Sequence, residues 1–146
     1  MKQELVKSWM SAPPITIDAD ATLPQACELL RKYQIRRLPV VENGKLVGIV
    51  TRGDLRGAQP SEATTLSIWE LNTLLAKLKI REIMTPDPVT IREDATIREA
   101  AQKMIDYKIS GLPVVDKDGN LVGMITESDI FRLVVKHWQE AEKQPA

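Results

Sequence analysis

Leu38-Pro39-Val40-Val41 opens a stretch that continues through Gly44-Lys45-Leu46-Val47-Gly48 to Thr51-Arg52-Gly53-Asp54. The same stretch returns as Leu112-Pro113-Val114-Val115, Gly119-Asn120-Leu121-Val122-Gly123 and Thr126-Glu127-Ser128-Asp129. Working outward, Thr16-Ile17 matches Thr90-Ile91, Asp20-Ala21-Thr22 matches Asp94-Ala95-Thr96, and Met10 matches Met84. The offset is 74 and becomes 75 after one inserted residue near Asp118. Twenty of 45 aligned columns are identical, more than chance provides, so the chain is an internal duplication and one copy predicts the other.

Each copy reads alike. Ile15-Thr16-Ile17 is a short β-rich entry after two prolines. From Thr22, a candidate N-cap, apolar residues fall at Leu23, Ala26, Cys27, Leu29, Leu30 and Tyr33, which is helical spacing; Ile97, Ala100, Ala101, Met104 and Ile105 repeat it. Leu38 to Val41 and Leu46 to Thr51 form a hairpin about Glu42-Asn43-Gly44, and a helix opens after Thr51 and after Thr126. The unit is β-α-β-β-α, an α/β (α+β) fold. Such a unit is too small to cover its own sheet, and two copies with approximate twofold symmetry are expected to bury each other's faces. This places a first domain at 1–62, a linker and helix at 63–83, and a second domain at 84–146. Ser67-Ile68-Trp69-Glu70 is a capping box for the linker helix, with an expected apolar face of Ile68, Leu71, Leu74, Leu75 and Leu78. The last helix is expected over 127–141, with Ile130, Phe131, Val134, Val135 and Trp138 on its apolar side.

Composition excludes much. Twenty basic and twenty acidic residues give zero net charge, without the basic field that nonspecific nucleic-acid binding draws on. One cysteine and one histidine allow neither an internal disulfide nor a Cys/His metal site. No apolar run has signal-peptide or bilayer-spanning length, so a cytoplasmic location is expected, with no membrane partner. Nucleophilic catalysis needs Ser, Cys or Thr beside an oriented base. His137 lies far along the chain from Cys27, whose counterpart is Ala101, so Cys27 reads as a packing residue and His137 as a surface helix residue. No GxxxxGK[ST] or GxGxxG loop is present, and no enzyme is expected.

What remains is the doubled Thr-x-x-Asp, Thr51 with Asp54 and Thr126 with Asp129. On spacing it is first a capping box, in which Thr accepts from a backbone N–H and the acid reaches back. The same geometry suits a ligand: a helix N-terminus and a hydroxyl for phosphate, and a carboxylate for the vicinal hydroxyls of a ribose. Duplication copies caps as faithfully as sites, so spacing leaves both readings open.

The residues Met10, Ile15-Thr16-Ile17, Ile35-Arg-Arg-Leu-Pro-Val-Val41 and Gly48-Ile-Val-Thr-Arg-Gly-Asp54 resemble the CBS domain, the small module named after cystathionine β-synthase. Ile109-Ser-Gly-Leu-Pro-Val-Val115 and Gly123-Met-Ile-Thr-Glu-Ser-Asp129 carry the likeness through the second copy. The chain is also similar to the CBS part of bacterial acetoin-utilisation regulators, including the linker Ala63-Thr-Thr-Leu-Ser-Ile-Trp-Glu-Leu-Asn72. The resemblance implies a non-catalytic regulatory module that binds adenosine-containing molecules (AMP, ADP, ATP or S-adenosylmethionine) in clefts between its two copies. Such modules pass ligand state to a partner protein and commonly form homodimers; no cofactor is required. Carried over by position, Asp54 holds a ribose, with Thr51 and Arg36 or Arg37 at the phosphate and Val89, Ile109 and Pro113 about the base. In the mirror site Asp129 holds ribose and Thr126 phosphate, with Ile15, Ile35 and Pro39 about the base.

Arg36-Arg37 in the first copy is Ser110-Gly111 in the second, and neither Ser nor Gly replaces a guanidinium's charge-assisted contacts to phosphate. The Asp54 site is therefore expected to prefer the more phosphorylated ligand. Trp69 and Trp138 lie on apolar helix faces, which points to core or dimer contact, with the helices bearing Trp69 and Phe131 as the dimer face. The competing reading is a ligand-independent dimerising adaptor whose Thr-x-x-Asp motifs are only caps.

Overall fold

The computed structural model describes residues 3–59 and 66–143; the end of the expected first domain, 60–62, and the start of the expected linker, 63–65, lie outside them. In chain order the elements are α1 (Val6–Trp9), β1 (Ile17–Asp18), α2 (Leu23–Tyr33), β2 (Arg37–Glu42), β3 (Lys45–Thr51) and α3 (Arg52–Gly57). There follow α4 (Ile68–Lys77), a 3-10 turn over Ile80–Glu82, β4 (Thr85–Pro86), β5 (Ile91–Arg92), α5 (Ile97–Tyr107), β6 (Gly111–Val115), β7 (Leu121–Thr126) and α6 (Glu127–Lys143). One sheet has the order β1-β2-β3-β4 and the other β5-β6-β7.

Local chemistry accounts for the boundaries. The Thr22 N–H donates to the Gln25 side chain at 2.8 Å, and α2 closes at Gln34 in the left-handed region, φ 52°. In α5 the box is Thr96 with Glu99, and Lys108, at φ 56°, ends the helix in the same way. The β2–β3 hairpin turns on Asn43 and Gly44, both at positive φ, the signature of a two-residue type I′ turn. The extra residue of the second copy is absorbed by a longer turn, in which the Asp116 Oδ1 accepts the N–H groups of Asp118 and Asn120 at 2.9 Å each. Both sheets keep one register: Ile17 opposes Val40, and Ile91 opposes Val114. A bulge follows at the same step in each, Val40/Val41 and Val114/Val115.

By compactness the chain divides at other points than the repeat boundaries. One unit is Ile15–Pro88; the other joins Met1–Pro14 to Val89–Ala146. The cause is a reciprocal exchange of edge segments. Thr85 pairs with Ile49 along β3, while its repeat counterpart Ser11 pairs with Met124 along β7. Ile80 is fully buried with Leu38, Val40 and Val50; the equivalent Val6 is fully buried with Leu112, Val114 and Ile125. Each sheet's last edge is thus completed by chain that precedes the other copy.

Gly48 and Gly123 make the exchange sterically feasible. A Cβ on Gly48 would lie 2.5 Å from the Met84 sulfur and 2.9 Å from the Thr85 carbonyl oxygen. At Gly123 the same clashes would come from Met10 at 2.7 Å and from the Ser11 carbonyl oxygen at 2.8 Å. Only glycine admits so close a backbone approach.

Two amphipathic faces differ from expectation. In α4 the side chains of Ile68, Trp69 and Leu74 are exposed, and only Leu71, Leu75 and Leu78 are half-buried. In α6 the buried residues are Asp129 and Leu133, whereas Phe131, Val135 and Trp138 are exposed. The packed stripe is therefore rotated toward Ile130, Leu133 and Val134. His137, expected at the surface, is half-buried, 3.8 Å from Glu4, and its Nε2 makes no hydrogen bond. Cys27 packs against the core of its unit, as expected.

Candidate functional site

Both Thr-x-x-Asp motifs sit where a strand hands over to a helix. Thr51 ends β3 and caps α3: the Asp54 N–H donates to Thr51 Oγ1 at 3.1 Å, and the Thr51 N–H donates to Asp54 Oδ2 at 2.9 Å. Thr126 ends β7, and its N–H donates to Asp129 Oδ2 at 2.9 Å, with its hydroxyl 3.3 Å from the same oxygen. The full capping box therefore forms at Thr51, while at Thr126 the acid reaches back to the backbone and to the Thr126 hydroxyl. Neither arrangement exhausts the carboxylates, because each uses one oxygen and each aspartate has two.

The second oxygens separate the copies. Asp54 Oδ1 has no hydrogen-bond partner among the described residues, and Asp54 is half-buried. Asp129 is 3% exposed, and its Oδ1 is taken by the Arg132 guanidinium one helical turn on. The residue equivalent to Arg132 in the first copy is Gly57, which cannot make that contact. No signal in the motif itself points to Arg132; the repeat alignment does.

Sheet register brings the expected phosphate residues beside the cap. Arg37 faces Thr51 across β2 and β3, and the Arg52 N–H donates to the Arg36 carbonyl at 2.8 Å. The open end of the β2–β3 hairpin thus gathers Thr51, Asp54, Arg36 and Arg37, and of the N–H groups of residues 51–54 the Gly53 N–H alone has no partner among the described residues. In the other unit Gly111 faces Thr126, and the Glu127 N–H donates to the Ser110 carbonyl at 3.0 Å, so the frame repeats without the guanidinium groups.

The apolar candidates fall into two kinds. Ile15 and Ile35 pack half-buried on the core of one unit, and Val89 and Ile109 on the core of the other. Pro39 and Pro113 are fully buried in mid-strand, opposite Ile49 and Met124.

The duplicated frame, its Gly-Ile-Val-Thr and Gly-Met-Ile-Thr strands and its capped aspartates match one family over residues 6–61 and 80–136, the CBS domain. The chain belongs to the CBS domain family. These spans start at Val6 and Ile80, the two equivalent residues that the edge exchange buries. A CBS domain-containing protein of Dictyostelium discoideum is 42% identical over 133 residues, 90% of this chain and 92% of that protein. The L-aspartate semialdehyde sulfurtransferase of Methanocaldococcus jannaschii is 40% identical, but the match covers 88% of this chain and only 23% of the enzyme.

Among solved structures, the CBS domain pair of protein MJ0100, in complex with 5′-methylthioadenosine and S-adenosyl-L-methionine, has a TM-score of 0.77 at 37% identity. That match covers 93% of this chain and 99% of the other. A Vibrio cholerae protein assigned to acetoin utilization (AcuB) has a TM-score of 0.79 at 32% identity, covering 99% of this chain and all of its own. CBSX2 in complex with AMP has a TM-score of 0.73 at 28% identity, covering 91% and 97%. The α/β CBS-pair fold is therefore shown. No helix among the described residues is long and apolar enough to cross a membrane.

Proposed function

We propose that this CBS pair is a non-catalytic regulatory module that binds an adenosine-containing ligand and passes the bound state on through a conformational or oligomeric change. The observation that carries the reading is the Asp54 carboxylate. One oxygen caps α3, and the other stays uncommitted at a helix N-terminus with Thr51 and two arginines alongside. A ribose diol supplies the donors that Oδ1 lacks, and a phosphate offers acceptors to Thr51, Arg36 or Arg37 and the Gly53 N–H. The ligands held by the MJ0100 pair and by CBSX2 belong to this chemical class. The base falls to the apolar residues of the other repeat, Val89 and Ile109, and in the mirror assignment to Ile15 and Ile35 around the Asp129 and Thr126 ligand; Pro113 and Pro39, fully buried, offer it no surface.

The two sites are unequal. The Asp54 site takes the more phosphorylated ligand, because it has the arginines and a free carboxylate oxygen. The Asp129 site is weaker, because Arg132 must be displaced before a ribose can enter. The module acts as a homodimer through the helices that expose Trp69 and Phe131, and ligand shifts its equilibrium only as far as it distinguishes the two states.

Calorimetric titration of nucleotide-stripped protein with AMP, ATP, S-adenosylmethionine, NADH and cyclic di-AMP tests this, with Asp54→Ala and Asp129→Ala in parallel. Saturable heat with an adenosine compound, abolished chiefly by Asp54→Ala, is the expected result. Absence of heat with all five, together with an unchanged melting temperature, would leave an adaptor whose aspartates are only caps.

A further inference from the structure

On the Ile15–Pro88 unit, α2 and α3 flank an open pocket of about 310 Å³ whose floor is Cys27, Leu30 and Leu55 and whose rim carries Arg31, Arg52 and Arg56. Leu30 and Leu55 are buried in the unit's core, so the floor is apolar and fixed, while the three arginines are exposed. No side chain among the described residues pairs with any of the three, and the lining contains no acidic residue.

The duplication supplies a control. The residues equivalent to Arg31, Arg52 and Arg56 are Ile105, Glu127 and Phe131. Ile105 and Phe131 are exposed at 70% and 61%, so the same helix pair folds with an apolar rim in the other unit. The fold therefore does not require arginine at these places. Three permanently charged side chains line one pocket in a chain of zero net charge, over a low-dielectric floor that strengthens their field.

We infer that this pocket is an anion-binding site, distinct from the group of Thr51, Asp54, Arg36 and Arg37 although Arg52 lies within the Thr51-to-Asp54 motif, and that it takes a small soluble molecule carrying two or more phosphate groups. Guanidinium forks match phosphate oxygens in pairs. A volume of about 310 Å³ exceeds the needs of a single phosphate and lies at the small end of ordinary ligand pockets, about 300–1,000 Å³. The inference does not depend on the adenosine reading, since none of the three arginines was assigned to that ligand.

The test is calorimetry with inorganic tripolyphosphate on the intact chain and on Arg31→Gln, Arg56→Gln, Arg36→Gln and, as a control, Arg98→Gln, all substitutions of exposed residues. The expected result is saturable binding that Arg31→Gln and Arg56→Gln each weaken about tenfold or more, and that Arg98→Gln leaves within about twofold. Rising salt should weaken it as well. Loss in Arg36→Gln with no change in Arg31→Gln or Arg56→Gln would move the anion to the Thr51 edge and overturn the inference. Absence of binding would overturn it too, as would binding to phosphatidylglycerol vesicles in a flotation assay without binding to tripolyphosphate.

Discussion

Asp54 and Asp129 occupy the same position in the same Thr-x-x-Asp motif, yet their carboxylates are in different states. One has an oxygen to spare; the other has none, because a glycine in the first copy is Arg132 in the second. The arginine side chain is 67% exposed, so its hold on Asp129 is screened and weak, on the order of 1 kcal/mol or less. Arg132→Ala should therefore raise the affinity of the second site by about threefold to fivefold without improving the first. Titration in an Asp54→Ala background isolates that site, and an unchanged or lower affinity would show that Arg132 is no competitor for the ligand.

At the scale of elements, each edge segment crosses a strand at a glycine. The clash that a Cβ would make is with a carbonyl oxygen as well as with a flexible methionine, so rotating the side chain cannot relieve it. Gly48→Ala and Gly123→Ala should each cost about 1–3 kcal/mol in urea unfolding, and pairing Gly48→Ala with Met84→Ala should recover only part of that loss. The longer β6–β7 turn makes a pH-dependent prediction. Asp116 is held below the usual carboxylate range, first by the Asn120 backbone N–H; burial, the next largest effect, opposes this, and the Asn120 side chain and the N–H groups of Asp118 and Gly119 add to the lowering. A depressed folded value means that its stabilisation is complete above the unfolded value of about 4 and is lost as pH falls through the folded value. Replacing Asp116 by Asn should flatten the dependence of melting temperature on pH below about pH 4, and leave it unchanged near pH 7. A variant whose acid limb stays as steep as the parent's would remove the turn from the account.

On the scale of the whole molecule, the exchange means that repeats and compact units are different partitions of one chain. Val6 belongs by sequence to the first repeat and by packing to the unit of α5, β6 and β7; Ile80 belongs to the second repeat and packs with α2, β2 and β3. Ile80→Ala should cost about 2–5 kcal/mol and speed amide exchange in α2, β2 and β3 first. Val6→Ala should cost less, since it removes fewer carbons, and should loosen α5, β6 and β7 instead. If each variant loosened the strands of its own sequence repeat, the exchange would be refuted.

Much of this was legible in the residues alone. The strands about Val40 and Val114, the turn at Asn43-Gly44, the caps at Thr22, Ser67, Thr96 and Thr51, and the family itself follow from contacts within a few positions. Capping, turn geometry and alternation act at that range, and a duplication states them twice. The CBS resemblance then supplied the candidate ligand residues, of which Thr51, Asp54, Arg36 and Arg37 lie at the open end of the β2–β3 hairpin. What lay beyond the sequence depends on partners far along the chain. Helical periodicity marks Trp69, Phe131 and Trp138 as apolar, but whether a face is buried is decided by what stands opposite, and they are exposed. Likewise Met10-Ser11 and Met84-Thr85 read as the beginnings of their own copies, and only tertiary pairing assigns each to the other copy's sheet. Arg31 and Arg56, 25 positions apart, form one basic rim only because α2 and α3 pack side by side. Local rules determine the elements; long-range packing decides which surfaces meet, because burial is a property of pairs of segments and not of either one.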